Sequence, residues 1–182
     1  MRVEVAHCWG TTPEERALCF PGDRAEDSGA DLLWRGVNVD APADHVFRWL
    51  CQLRVAPYSY DWIDNAGRRS PRLLTRGLER LERGQTFMQI FRLEEFEPDV
   101  HLTLATPVGS RGARLFGVVR VTYWARALGP DRTRLLAKLR VTAVPGFWGR
   151  AMRALLPWGD LVMMRRQLLT LKTLAERNHT AG

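Results

Sequence analysis

VNVDAPADHVFRWL, residues 37–50, joins the end of a strand to the start of a helix. The alternating β-branched residues before Asp40 predict a strand over residues 32–39. Pro42 suits the first turn of a helix, where its missing N–H and fixed φ are tolerated, and Asp40 or Ala41 then takes the cap position. Apolar residues follow at helical spacing, and we expect this helix to end near Leu53, since Pro57 forbids its extension.

The composition is that of a globular domain with a substantial core. The 182 residues are 46% hydrophobic and include seven tryptophans, and a chain of this length buries roughly 70% of its unfolded surface. We expect no transmembrane helix and no signal peptide, because the apolar runs are too short for either. Three widely spaced cysteines favour reduced thiols, and we therefore expect a cytoplasmic protein.

The charge balance is strongly basic, with a formal net charge of +7 that comes almost wholly from arginine. A basic excess can serve nucleic acid or an anionic membrane surface. The arginines are scattered over the predicted strands and helices, and neither zinc-finger spacing nor an RNA-binding aromatic pattern accompanies them. We therefore predict that nucleic acid is not a partner.

The predicted elements follow one another as strand, helix, connection, antiparallel strands and long helix. Residues 1–30 precede this order as an N-terminal arm, in which Thr12 and Glu15 form a capping box for a helix that ends near Phe20. The final helix is predicted over residues 148–177, broken or kinked at Pro157, with Asp160 capping its second part. Strands are predicted over 85–93, 94–97, 101–106, 116–127 and 132–143.

The motif Val-x-Ala-Pro-x-x-x-Val-Phe-x-x-Leu, which covers Val39–Leu50, resembles the opening of the START-like, or helix-grip, superfamily (SRPBCC). The predicted element order is similar to that of the same superfamily, and the resemblance covers about residues 32–176. Val55–Asn65 and Leu156–Arg165 resemble a bacterial, polyketide cyclase-like subgroup. The resemblance implies an α+β helix-grip fold, in which a curved antiparallel sheet wraps around the long C-terminal helix. It also implies a START-like ligand-binding domain over residues 31–182 with an apolar cavity between sheet and helix.

Two groups of residues are candidates for binding a ligand in that cavity. The wall combines the apolar face of the last two strands with an inward stripe of the final helix, and its members are Val119, Val121, Tyr123, Leu135, Leu139, Leu161, Met164 and Leu168. The mouth is the segment after Pro57, which mixes aromatic and polar side chains suited to a ligand of mixed character. Its members are Tyr58, Tyr60, Asp61, Trp62, Asp64 and Arg68. The other interpretation of this segment is structural, with aspartates that pair with arginine and aromatic rings that cover the end of the sheet.

The opposite face of the last two strands carries Arg134, Lys138 and Arg140, and we expect it to be in contact with water. Outside the mouth, candidate chemical groups have weaker contexts. His7 beside Cys8 has no second ligand pair at metal-binding spacing, and we expect neither a metal site nor a cofactor. His101 is expected to be a solvated edge residue.

No recognisable catalytic constellation is present in the sequence. Ser59 and Ser70 lack the Gly-x-Ser-x-Gly context of a hydrolase. The glycine patterns of phosphate and dinucleotide sites are also missing. The catalytic residues are therefore unknown, and the best guesses for acid–base or oxyanion roles are Asp61, Asp64, Tyr58 and Arg68.

The function that these features favour is non-covalent binding or transport of a hydrophobic small molecule, such as a lipid or a polyketide-like metabolite. A polyketide aromatase/cyclase-like enzyme is the first alternative, because the resembling superfamily includes such cyclases. A structural or regulatory partner-binding module is the second. Aromatic residues and arginines near the start of the final helix leave peripheral membrane contact open, and the oligomeric state is unknown.

Overall fold

The computed structural model describes residues 2–23, 30–60, 69–142 and 146–179. Its helices are α1 (Arg2–His7), α2 (Pro13–Arg16), α3 (Ala43–Cys51), α4 (Arg111–Phe116) and α5 (Gly146–His179). Its strands are β1 (Cys8–Trp9), β2 (Asp31–Val39), β3 (Thr86–Phe87), β4 (Phe91–Glu97), β5 (His101–Ala105), β6 (Val118–Gly129) and β7 (Arg132–Thr142). Within the described ranges, no helix is both long enough and apolar enough to cross a membrane.

In the described ranges, the seven strands form one sheet in the order β1-β2-β7-β6-β5-β4-β3. β1 runs parallel to β2, and the other five neighbouring pairs are antiparallel. One face of this sheet packs against α5 and α3. The predicted α+β class, with an antiparallel sheet against a long C-terminal helix, is confirmed.

The inner face of the sheet carries the alternation that the sequence predicts. Val121 and Tyr123 on β6 and Leu135 on β7 are all buried, and they share one core with Leu168 and Leu171 of α5. Because residues two apart in a strand point to the same side, this alternation brings every second residue of β6 and β7 to the helix.

The entry into α3 differs from the expectation by one residue. Pro42 has φ −60° and ψ 152° and occupies the N-cap, so Ala43 is the first helical residue. The carbonyl of Pro42 accepts the first helical hydrogen bond from the N–H of Val46, at 3.0 Å. Neither Asp40 nor Ala41 is therefore the cap.

The strand predicted over residues 85–93 is wrong. β3 ends at Phe87, and Met88 and Gln89 then adopt φ angles of 44° and 65°. Positive φ at two consecutive residues turns a chain tightly enough to form a hairpin. Met and Gln are not typical turn residues, so the sequence carries no local signal for this turn. β4 then runs on to Glu97 through the predicted strand boundary.

The final helix is continuous, so of the break or kink predicted at Pro157 the break is wrong. α5 extends from Gly146 to His179 with Pro157 inside it. A proline inside a helix removes the hydrogen bond to the carbonyl four residues earlier. The carbonyl of Pro157 itself accepts from Nη2 of Arg35 at 3.3 Å. Asp160 does not cap a second helix, because α5 continues through it. Its carboxylate accepts from Arg35 instead.

The part of the N-terminal arm that follows β1 lies across the outer face of the sheet. The capping box of Thr12 and Glu15 is confirmed, although α2 ends at Arg16 rather than near Phe20. The Glu15 carboxylate pairs with Arg134 at 2.7 Å. The Phe20 ring contacts Trp34 edge-on, with 5.2 Å between ring centroids.

This arm makes the prediction of a wet outer face wrong near its centre. Lys138 is only 6% exposed. Its ammonium group lies 4.7 Å from the ring centroid of Trp34 and 2.8 Å from a carboxylate oxygen of Asp23. Leu136, beside it on β7, is completely buried. The residues of β7 do alternate between apolar and polar, but the N-terminal arm, more than a hundred residues earlier in the chain, covers the polar face.

Candidate functional site

A pocket of about 320 Å³ lies between α5 and the two chain segments that flank residues 61–68. α5 contributes one face of its C-terminal half, and the flanking segments contribute the opposite wall. Tyr58 and Leu174 also belong to the hydrophobic core, so they separate the pocket from the interior. The described lining residues are Tyr58, Ser59, Ser70, Pro71, Arg72, Arg166, Leu169, Thr170, Thr173, Leu174 and Arg177.

Tyr58 is held in an unusual backbone conformation at this pocket. Its φ is 55°, which costs roughly 1–2 kcal/mol for a residue with a Cβ. The contacts that hold it there include its ring, which meets the Trp49 ring edge-on with 6.0 Å between centroids, and the preceding carbonyl of Pro57, which accepts from Nε2 of Gln167 at 2.6 Å. Strain of this kind is concentrated at functional sites, because elsewhere it would relax.

The pocket combines an apolar wall with a basic, hydroxyl-rich rim. Leu169, Leu174 and Pro71 supply aliphatic surface, and Tyr58 adds an aromatic ring. No carboxylate is present among the described lining residues. Their polar side chains are three guanidinium groups, four aliphatic hydroxyls and the phenol of Tyr58; the first two kinds belong to Arg72, Arg166, Arg177, Ser59, Ser70, Thr170 and Thr173. Such a lining suits a molecule with an apolar body and an anionic end.

Of the two predicted mouth residues within the described ranges, the structure brings one to this pocket. Tyr58 lines it, whereas Tyr60 is half-buried and is not among the lining residues. The remaining mouth candidates lie outside the described residues. They are Asp61, Trp62, Asp64 and Arg68.

The predicted wall residues come together in the core, but the pocket is lined by other side chains. Seven of the eight are buried in one cluster: Val119, Val121, Tyr123, Leu135, Leu139, Met164 and Leu168. Leu161 is half-buried. On α5 the pocket uses Leu169 and Thr173, which lie on a different face of the helix from Leu168. A ligand cavity between sheet and helix stays a prediction.

A buried ion pair crosses the interface between the sheet and α5. Arg35 of β2 is completely buried, and its Nη2 lies 2.7 Å from Oδ2 of Asp160. The same guanidinium donates to the carbonyls of Ala6, His7 and Trp34. Burial raises the pKa of Asp160 to about 6, although the Arg35 charge opposes this shift. Burial lowers the pKa of Arg35.

A second group of polar contacts in the core joins Tyr123 of β6 to α5. The Tyr123 hydroxyl donates to Oε1 of Gln167 at 2.6 Å and contacts Sδ of Met164 at 3.6 Å. Burial raises the pKa of Tyr123 far above its usual range, so the hydroxyl remains protonated and acts as a donor. Gln167 in turn holds Pro57, which links the core to the pocket residue Tyr58.

Solved structures of low sequence identity share this architecture. The Zhui aromatase/cyclase from Streptomyces sp. R1128 is 16% identical, with 81% of this chain and 94% of that chain covered at a TM-score of 0.52. A hypothetical protein from Helicobacter pylori is 16% identical over 87% and 96% of the two chains, at 0.53. A protein from Thermobifida fusca is 15% identical over 80% and 93%, at 0.51. This chain has the helix-grip fold.

Identities this low establish the helix-grip fold alone. No protein-family model matches the sequence, and no curated protein matches it. The helix that the sheet grips is α5. It presents Met164 and Leu168 to the sheet and Leu169 and Thr173 to the pocket.

Sequence reasoning missed two buried polar residues of the helix-grip core, Arg35 and Gln167, and the inward role of the partly buried Asp160, although a signal for them exists. Arg35 occupies an inward position of β2, between the buried Leu33 and Val37. Asp160 and Gln167 occupy inward positions of α5 in the same way. A charged or amide residue within an apolar stripe indicates a buried partner, because burying such a group alone is costly.

His101 is also placed differently from the expectation. It is 5% exposed and lies on β5, between β4 and β6, so the prediction of a solvated edge residue is wrong. Glu95 and Glu97 approach its ring nitrogens at 3.5 and 3.9 Å. No group of three or more potential metal ligands occurs within the described ranges.

Proposed function

We propose that this helix-grip protein binds, and in doing so can transport, a hydrophobic small molecule that carries an anionic end. Lipid and polyketide-like acids both belong to this chemical class. The observation that carries the proposal is the pocket of about 320 Å³, whose volume suits a small ligand. Cys8, Cys19 and Cys51 are free thiols, which supports a cytoplasmic setting.

Apolar surface supplies the affinity in this proposal, and charge supplies the orientation. Burial of the ligand body against Leu169 and Leu174 contributes about 25 cal/mol per Å² of apolar surface. Arg72 and Arg166 lie at the rim, where a guanidinium binds a carboxylate or phosphate in a bidentate manner. A neutral ligand of the same shape should therefore bind more weakly.

Filling the pocket tests this function directly. Thr173→Trp places a bulky ring in the pocket from an exposed helix position, so the fold should survive. We expect it to weaken binding of anilinonaphthalene sulfonate, an apolar fluorophore with an anionic group, by about tenfold or more. Thr86→Trp is the matched control, since Thr86 is also exposed and does not line the pocket. Equal affinity of the wild type and Thr173→Trp would place probe binding elsewhere and overturn the proposal.

The anionic end is tested by comparing a fluorescent long-chain carboxylic acid with its methyl ester. Arg166→Gln should lower the affinity for the acid by about tenfold and leave that for the ester nearly unchanged. Equal losses for both probes would mean that Arg166 shapes the pocket without recognising charge.

An aromatase/cyclase-like activity is the second candidate. Two observations favour it: the fold shared with an aromatase/cyclase, and the Asp160 carboxyl, whose pKa is raised to about 6, near the Tyr123 hydroxyl. A group that titrates near neutrality suits acid–base work. Incubating the protein with a poly-β-ketone chain and following its mass and absorbance tests this. We expect an unchanged chain, and a product that the wild type forms but Tyr123→Phe does not form would replace the binding function by the cyclase.

A further inference from the structure

An exposed apolar stripe runs along the N-terminal half of α5. Phe147, Leu155, Trp158 and Val162 are 79%, 62%, 44% and 52% exposed. They recur every three or four residues along the helix, except that the position between Phe147 and Leu155 is taken by the small residue Ala151. Residues at this spacing lie on one face of a helix, so together they form a single apolar ridge, which we call the α5 stripe.

The charges beside the α5 stripe are positive. Arg150 and Arg165 are exposed, and within the described ranges neither pairs with a carboxylate. Their guanidinium groups lie instead over the rings of Phe147 and Trp9, at 6.0 and 5.7 Å. Asp160, the one acidic residue in this half of α5, points away from the stripe to Arg35.

The stripe leads into the pocket. Continuing from Val162 at the same spacing reaches Arg166, Thr170 and Thr173, which all line the pocket. A ligand that leaves an apolar phase at the stripe would therefore meet the pocket on the same face of the same helix.

We infer that the α5 stripe docks on an anionic lipid surface and that the pocket exchanges its ligand with that surface. Exposed aromatic and aliphatic side chains on one helix face, flanked by arginine, are the features with which a helix lies in a membrane interface. A second copy of this chain fits less well, because a two-fold interface would set Arg150 and Arg165 of each copy against a patch of the same charge. The exchange route rests on the proposed function, but the docking does not.

Cosedimentation with lipid vesicles, without added ligand, tests the docking. We expect the wild type to bind vesicles that contain roughly one third phosphatidylglycerol and to bind phosphatidylcholine vesicles far more weakly, since each arginine at an anionic surface contributes about a fivefold gain. Phe147→Ser with Trp158→Ser should reduce binding by about tenfold or more. Leu128→Ser is the matched control, because Leu128 is 55% exposed at the far end of β6 and should leave binding unchanged.

A second pair of variants isolates the charge. Arg150→Gln with Arg165→Gln should abolish the preference for anionic vesicles, whereas Arg83→Gln, on an exposed loop residue, should not. Three results would overturn the inference: no vesicle binding by the wild type, equal loss with Leu128→Ser, or a dimer in sedimentation equilibrium that the Phe147→Ser, Trp158→Ser variant dissociates. Pocket occupancy by anilinonaphthalene sulfonate is measured without vesicles. Failure of the docking therefore leaves the proposed function standing, and failure of the probe test leaves the docking standing.

Discussion

Replacing Asp160 by alanine should lower the free energy of unfolding by about 3–5 kcal/mol. The magnitude follows from the position of its partner. Arg35 is completely buried, and Asp160 at 2.7 Å is the carboxylate that neutralises it. The carbonyls that also bind Arg35 carry no net charge, so the substitution would leave a cation in the interior without a counter-charge.

Urea denaturation of the wild type and the variant, followed by circular dichroism, measures this cost. A matched surface pair provides the control. Arg153 and Asp31 lie 2.9 Å apart but are 52% and 37% exposed, and Asp31→Ala should cost less than about 1 kcal/mol. Replacing both buried partners, with Arg35→Met and Asp160→Leu, should recover most of the lost stability, since neither charge is then buried.

The pH dependence carries a second signature of the same pair. The pKa of Asp160 is raised from 3.8 to about 6 in the folded protein, so between these values the folded state binds more protons than the unfolded state. The stabilisation that this extra bound proton gives is therefore fully present below about pH 4 and is lost as the pH rises through about 6. Asp160→Ala should remove this slope. The cost of about 3–5 kcal/mol applies at pH 7, where Asp160 is mostly ionised and pairs with Arg35. A cost below about 1 kcal/mol, or a double variant as unstable as Asp160→Ala, would refute the reasoning.

Two further predictions concern the N-terminal arm. Phe20→Ala should cost about 3–5 kcal/mol, because Phe20 fills the space between Trp34 and Trp124, and thermal unfolding measures the loss. A loss confined to the protection of residues 12–23 in hydrogen exchange, with global stability unchanged, would instead make the arm an independent unit. Thr12→Ala should cost about 1 kcal/mol through the lost cap, whereas Thr12→Ser, which keeps the hydroxyl, should cost almost nothing. Equal costs for the alanine and serine variants would mean that the capping box does not stabilise the protein.

The parts of the fold that the sequence predicted depend on short-range chemistry. The capping box joins Thr12 to Glu15, three residues apart, so both members stand in one short stretch. The apolar faces of β6 and β7 follow from alternation within each strand. The missed hairpin turn at Met88 and Gln89 is the reverse case, because side chains that seldom favour positive φ adopt it there in the tertiary context.

The candidate site was less predictable, because its residues meet only after folding. Tyr58 was identified from its aromatic and polar neighbours, but the partner that holds its segment, Gln167, lies 110 residues away from Pro57 along the chain. The pocket takes one wall from near Tyr58 and the other from α5. Hydrophobic periodicity predicts which face of α5 packs on the sheet, but it does not predict what covers the other faces.

The sequence by itself therefore determined the order of the main strands and helices and their apolar faces, since a strand or helix is specified by the periodicity of its own residues. The helix-grip architecture came from the resemblance of its motifs and of that order to the superfamily. The tertiary structure alone decided that Lys138 is covered by the N-terminal arm, that Arg35 meets Asp160 from 125 positions away, and that the pocket lies beside the core. The physical reason is that periodicity records how apolar each position is, whereas charge pairing and pocket shape depend on which distant segment arrives opposite it.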